Sequence, residues 1–340
     1  MSEHPGERRS PARRDRVLAI VCLLLATLTA SVAPANAAYW KRIWGGPVKL
    51  SLANDAGQYA VKLPEEDIYE RREDAPADEP EWVKIGGPGK EFAVTDDKLY
   101  GLAPDGGAVY EYSGTPGHWT QVGGAAGHIY AGSSGLFATD PTTGDLWAYE
   151  LALADSGHVP GWTLVGGPGA MFVVGPPTQG YGYTSRLYGL SPNRDSVWSY
   201  EGPLEWTKIG GPASEIWSTS QWPYATSPAT GDIFRFDGVE WHGMGGSGFD
   251  IAVGASCGDI YGLSSDHKIW EHDEYGWSTL DGWVCGTRQN LRFDRIFAGP
   301  CLVPRAREKD TKALWSFEWD EHEPPCREPR DRGAERDPSR

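Results

Sequence analysis

Positive charge is scarce in this chain: 31 Lys and Arg residues stand against 47 Asp and Glu, a formal net charge of −16. A surface that acidic repels phosphate backbones and anionic lipid. The aromatics are not interleaved with basic side chains as a strand-binding groove requires, so nucleic acid is not an expected partner. Helical periodicity is also missing beyond the N-terminus. No Gly-x-Ser-x-Gly elbow and no His-Glu-x-x-His pair occur, and the histidines His118, His128, His158, His242, His267, His272 and His322 are scattered. The usual serine hydrolase and zinc protease patterns are therefore absent. His242, His267 and His272 are the histidines that a closed fold can bring near one another. No Cys-x-x-Cys pair is present, which argues against structural zinc. The expectation is a chain without a catalytic constellation, metal or cofactor.

Cysteine is sparse too, and its placement is informative. Of five, Cys22 lies in an N-terminal segment, and Cys257, Cys285, Cys301 and Cys326 all fall in the last third. That segment has a basic start (Arg8, Arg9, Arg13, Arg14, Arg16), an uncharged apolar run from Val17 to Ala33, and Ala35-Asn36-Ala37 as a small-residue cleavage site. Together these read as a secretory signal peptide over 1–37, with no membrane span left after cleavage. An uncleaved anchor is the alternative, although the run is short for a bilayer span of ~20 residues. Four remaining cysteines in an oxidising compartment suggest two disulfides, and the sequence leaves all three pairings open. Each would close a loop contributing about 3 to 4 kcal/mol.

Tryptophan, by contrast, is abundant and periodic. Trp40, Trp82, Trp119, Trp162, Trp206, Trp241 and Trp277 open similar phrases 35 to 44 residues apart. Five phrases share Trp, two spacers, an apolar residue and Gly-Gly: WVKIGG, WTQVGG, WTLVGG, WTKIGG and WHGMGG. Trp40 opens a looser copy with Trp44 inserted before Gly45 and Gly46. Trp277 opens a decayed one, with Asp281-Gly282 in place of the doublet. Terminal repeats drift in this way because they have only one ordinary neighbour.

The second half of each unit repeats as apolar run, turn, apolar-aromatic run: Leu99 to Tyr112, Leu136 to Tyr149, Leu187 to Tyr200, Tyr224 to Phe236 and Ile260 to His272. Such runs around Pro, Asp, Asn, Thr and Gly read as hairpins. Four short strands per unit of about 40 residues is the arithmetic of an all-β, β-propeller fold with four antiparallel strands per blade. Seven blades are expected, with six as the alternative if the Trp40 or Trp277 copy only completes other blades. Asp294 to Gly299 and Ala313 to Asp320 read as late strands. The propeller is assigned to 38–323. Pro64 to Pro80 reads as a long acidic loop, and 324–340 reads as a disordered tail.

In the last strand of each unit the aromatics alternate with smaller residues, as in Tyr110 and Tyr112, Trp147 and Tyr149, or Trp198 and Tyr200, so each pair shares one sheet face. The ordinary use of such rings is to fill the wedge between blades. The phrase-opening Trp and the apolar residue three positions later cannot share a face of a regular strand, which calls for a bulge or an edge position there. The Gly-Gly doublets read as turn glycines free to take positive φ, with Pro47, Pro88, Pro168 and Pro212 ending the ladder. Asp145, Asp232 and Asp259, each after Gly, read as hairpin-turn residues, with calcium binding as the second reading.

The phrase Trp-x-x-Ile-x-Gly, a short apolar strand, Leu-Tyr-Gly-Leu, then Ile-Trp or Val-Tyr resembles the tectonin and tachylectin-type β-propeller repeat, over Trp40 to about Trp319. The departures are a longer unit, the Gly-Gly-Pro doublet, and Tyr100, Tyr188 and Tyr261 where that family often has Trp. Kelch and quinoprotein repeats fit the glycine spacing less well. The resemblance implies a secreted, monomeric, non-catalytic protein that binds glycans between or above its blades. Trp82, Trp119, Trp162, Trp206 and Trp241, with Tyr100, Tyr188 and Tyr261, are the candidate ligand-binding rings. An extracellular protein-interaction scaffold and a degenerate propeller hydrolase or lyase are the alternatives.

Overall fold

The computed structural model describes residues 38–72, 81–150, 152–153, 157–158, 161–175, 186–219, 222–247, 249–253, 260–273, 276–280, 283–284, 287–288, 291–297 and 304–319. These residues form seven four-stranded antiparallel sheets, and none of them is helical. The cysteines, the N-terminal segment and the C-terminal tail lie outside the described residues, as does the Gly258-Asp259 turn.

Blade 1 runs Val48–Asn54, Gly57–Lys62, Asp67–Arg71 and Trp82–Pro88 from inner to outer strand. Blade 2 is Glu91–Val94, Leu99–Leu102, Val109–Tyr112 and Trp119–Gly123. Blade 3 is Ile129–Gly132, Gly135–Thr139, Leu146–Tyr149 and Trp162–Gly166. Blade 4 is Met171–Val174, Leu187–Leu190, Val197–Gly202 and Glu205–Gly210. Blade 5 is Ile216–Ser218, Pro223–Thr226, Ile233–Phe236 and Trp241–Gly245. Blade 6 is Asp250–Val253, Ile260–Leu263, Ile269–Asp273 and Gly276–Thr279. Blade 7 takes Phe293–Phe297, Arg305–Glu308 and Leu314–Trp319 from the C-terminal end and Ala38–Trp44 from the N-terminal end.

Consecutive inner strands touch all the way round, and that of blade 7 returns to that of blade 1, so the ring is closed. Seven blades result because the Trp40 strand is the outer strand of the last blade, so every Trp phrase begins on the outer strand of one blade and continues into the next. One expectation is corrected and one strand is added. Pro64 to Pro80 is not all loop, since Asp67–Arg71 is the third strand of blade 1 and pairs with Gln58 to Val61. The Arg305–Glu308 strand, charged at three of four positions, carried no apolar run to announce it.

The core is divided among the seams between blades. Tyr59, Ile68 and Ile85 of blade 1 pack against Leu99 and Tyr112 of blade 2. Trp40, Phe293 and Phe317 of blade 7 pack against Tyr261 and Ile269 of blade 6. Each fully buried Leu or Ile contributes about 1.5–3 kcal/mol. In blade 2, Phe92 fills its seam because Gly89 and Gly101 have no Cβ, and a methyl at either would lie 2.6 or 3.0 Å from the ring. Phe172 in blade 4 sits the same way against Gly169 and Gly189. Where the strand carries Ile129 or Ile216 instead, the glycine positions become Ala126 and Ala138, or Ala213 and Ala225, all buried. Volume is conserved within each seam, as close packing requires.

Candidate functional site

The phrase-opening tryptophans pair across strands with the last aromatic of the preceding strand, Tyr112 with Trp119, Tyr149 with Trp162 and Tyr200 with Trp206. Their rings touch at 5.2 to 5.3 Å. In blades 1 to 5 the outer strand bulges at the apolar residue three positions beyond its tryptophan: Ile85, Val122, Val165, Ile209 and Met244 all slip out of the ladder. Ile43 does the same in the Trp40 strand. The expected bulge is therefore present, and it frees a carbonyl. That oxygen accepts the indole N–H of the next blade: Trp119 donates to Ile85, Trp162 to Val122, Trp206 to Val165, Trp241 to Ile209 and Trp277 to Met244, over 2.7 to 2.9 Å. Trp82 donates to Ile43 at 3.1 Å. The indoles of Trp82, Trp119, Trp162, Trp206 and Trp241 thus serve the seams, each half-buried.

This latch also explains the first glycine of the doublet. A methyl at Gly86, Gly123, Gly166 or Gly210 would lie 2.9 to 3.0 Å from the indole resting on it. Positive φ is not the reason: of the doublet glycines, only Gly245 and Gly246 have it. The glycines' role is to let a ring approach the backbone closely, and the turn expectation is corrected accordingly. The second glycines, Gly87, Gly124, Gly167 and Gly211, face open space.

Tyr100, Tyr188 and Tyr261, expected as ligand platforms, stand in second strands with 4%, 6% and 2% of their surface exposed. Tyr100 and Tyr261 face Glu111 and Glu271 across the ladder. Burial pushes the Tyr188 hydroxyl up to about 12 and raises that of Tyr100 as well. In this arrangement they are seam residues. The three histidines are not gathered: His242 meets Asp237, His267 lies between the Phe293 carbonyl and Lys309, and His272 packs on Trp277. Asp145 and Asp232 occupy hairpin turns. Among the described residues no three His, Cys, Asp or Glu side chains converge as a metal site.

The ring presents one pocket that takes in a candidate ring, Trp162, together with residues that the sequence did not single out. Because strands alternate in direction, the outer-to-inner connections and the hairpins between second and third strands share one face. There, between blades 2 and 3, a cavity of about 160 Å³ is lined by Val109, Gly124, Thr139, Asp140, Trp147 and Trp162, among others. At ~30 Å³ per water molecule it holds about five waters. Trp147 is 36% exposed. Its tryptophan counterparts are tied: Trp198 donates to Ser196, Trp270 to Ser264 and Trp315 to Glu308. The Trp147 indole N–H meets no described partner. Asp140 Oδ1 accepts the backbone N–H groups of Thr142 and Thr143 at 2.7 and 2.8 Å. Those bonds, Thr143 first, hold its carboxyl below the ordinary Asp range. An ionised carboxylate therefore stands beside an open indole. The signal that could have found Trp147 is its blade's hairpin, Thr-Asp-Pro-Thr-Thr-Gly-Asp, whose polar start replaces the Leu-Ala and Leu-Ser of neighbouring blades.

Fold and pocket define the class: a seven-bladed β-propeller with an open inter-blade pocket on one face. No family model matches the chain, and no curated protein does. Solved structures match widely. That of yeast RCC1 (Prp20) with Kap60 bound gives a TM-score of 0.54 at 10% identity, over 79% of this chain and 80% of that one. The GH74 xyloglucanase from Xanthomonas campestris gives 0.52 at 13%, over 81% of this chain and 43% of that one. The Cps50 (Swd1) β-propeller domain from Myceliophteria thermophila gives 0.50 at 11%, over 82% and 98%. At such identities the likeness shows the fold alone.

Proposed function

We propose that this protein is a non-catalytic binding ring that takes a sugar of a glycan in the pocket between blades 2 and 3. Trp147 carries the reading: an exposed indole with an uncommitted N–H, next to the ionised Asp140. The apolar face of a pyranose stacks on such a ring, and its hydroxyls donate to a carboxylate. Asp140 Oδ2 is the acceptor left for this, because Oδ1 is occupied by the turn. Trp162 closes the back of the pocket, and Gly124 leaves its rim open. The pocket volume suits one ring, so longer glycans extend over the face.

The N-terminal segment and the cysteine placement support export, which puts the pocket among extracellular glycans, with the ring acting as a monomer. A second reading, a protein-interaction scaffold, has its own support on the opposite face. Leu204 and Val239, at the outer hairpins of blades 4 and 5, are 63% and 87% exposed. The test of the main reading is an immobilised glycan array probed with the wild type and with Trp147→Ala. Binding by the wild type that the substitution removes supports it. Silence on every glycan, or binding indifferent to Trp147, sinks it.

A further inference from the structure

Blades 3 and 5 are built alike, and blades 2 and 4 follow a different plan. The Phe-Gly-Gly seams of blades 2 and 4 alternate with the Ile-Ala-Ala seams of blades 3 and 5, so the repeating unit of this stretch is a pair of blades. The hairpins agree. In blade 3, Gly144 has a φ of 78° and donates to the Asp140 carbonyl, while Asp140 N–H reaches the Asp145 carbonyl. In blade 5, Gly231 has a φ of 74° and donates to the Ser227 carbonyl, while Ser227 N–H reaches Asp232. Ser227 Oγ accepts the N–H groups of Ala229 and Thr230 as Asp140 Oδ1 accepts those of Thr142 and Thr143. Thr139 and Thr226 accept the equivalent backbone N–H groups of His128 and Glu215.

The pocket wall is repeated with the hairpin. By ladder register, Val109, Gly123, Ala126, Ala138, Thr139 and Trp162 correspond to Val197, Gly210, Ala213, Ala225, Thr226 and Trp241. Gly124 and Gly211 also correspond, both facing open space. In blades 2 and 4 the position of Thr139 is held by Leu102 and Leu190, each fully buried, and the neighbouring seam is filled by Phe92 or Phe172. The lining is thus reproduced two blades along and not one.

We propose that the surface between blades 4 and 5, where this lining recurs, is a second site for the same pyranose chemistry, so that the ring is bivalent. This rests on the reading of the blade 2–3 pocket as a sugar site. Three differences make the second site weaker. Phe234 replaces Trp147, offering a smaller ring without a donor; Ser227 replaces Asp140, removing the carboxylate; and Pro212 replaces Ala125 at the rim. Two unequal sites on one rigid face favour branched or dense glycans through effective concentration.

The experiment uses the methyl glycosides of glucose, galactose, mannose, fucose, N-acetylglucosamine and N-acetylgalactosamine, soaked into crystals and titrated calorimetrically against the full protein. The expected result is a sugar between blades 2 and 3 and another between blades 4 and 5, with two sites of unequal affinity. Phe234→Trp should tighten the weaker site roughly three- to tenfold. Phe234→Ala should leave only the stronger one, with the melting temperature measured to show an intact fold. A sugar in the blade 2–3 pocket alone overturns the second site and leaves the first. Sugars between blades 1 and 2 or 3 and 4 as well overturn the two-blade rule, and no binding of any glycoside overturns both.

Discussion

The indole Nε1 of Trp119 in blade 2 lies 2.9 Å from the carbonyl oxygen of Ile85, the residue that bulges out of the outer strand of blade 1. Two local irregularities thereby meet, a carbonyl turned out of the ladder in one blade and an indole donor in the next. The relationship recurs at every seam from Trp82 to Trp277 and stops at Trp40. Trp40 is fully buried against Phe293 and Phe317, and its N–H has no partner among the described residues. In blade 6 the described outer strand, Gly276–Thr279, pairs in regular register without a bulge, consistent with the decay of that phrase.

Trp119→Phe removes the indole donor and leaves the Ile85 carbonyl with the Gly117 N–H alone. The expected loss is about 0.5–1.5 kcal/mol for the one hydrogen bond, with the smaller ring adding to it. Urea unfolding of wild type and variant checks this; a change within the ordinary surface-substitution range of about 0.5 kcal/mol would remove the latch from the account of stability.

The doublet glycines should behave oppositely on methylation. Gly166→Ala places Cβ 2.9 Å from Trp206 Nε1, whereas Gly167→Ala meets nothing within 4 Å. Thermal melts should show the first destabilised by roughly 1–3 kcal/mol and the second nearly neutral. Equal effects at the two positions would contradict the close-approach explanation.

At the pocket, Asp140→Asn keeps the turn, since an amide oxygen still accepts from Thr142 and Thr143, but removes the charge offered to sugar hydroxyls. Glycan affinity should fall about tenfold or more while the melting temperature holds. An unchanged array profile for this variant would mean that Asp140 is only a turn residue.

The Glu70 carboxyl is raised by burial, against the opposing influences of the Tyr112 hydroxyl bond at 3.2 Å and the charge of Arg72. A raised folded-state value means that its favourable contribution is full below the ordinary Glu range, ~4.3, and is lost as pH rises through the shifted value. Glu70→Gln should therefore match the wild type near pH 4 and exceed it in stability at pH 7. Melting temperatures across that interval test the sign, and a variant less stable at pH 7 than at pH 4 relative to wild type would reverse it.

Much of the ring was legible in the chain because its signals are local. The Trp82-to-Ile85 spacing called for a bulge or an edge position, since residues three apart in a strand face opposite ways, and the strand is an outer one with the bulge in it. Leu99–Leu102 and Val109–Tyr112 could be read as a hairpin from period two and the turn between them. Arg305–Glu308 could not, because its burial comes from neighbouring strands and not from its own composition. The site was less legible still. Tyr100, Tyr188 and Tyr261 looked like candidates by analogy, and their exposure depends on what the next blade lays over them.

The sequence by itself determined the class of fold, the strand alternation and the repeated tryptophan phrase, since backbone period and turn chemistry act over a few residues. Only the tertiary structure decided that Ala38–Trp44 completes the last blade, that Gly86 serves a ring from another unit, and that Trp147 stays open while Trp198 is tied. Those outcomes depend on which surfaces meet when the ring closes, a condition that no single repeat contains.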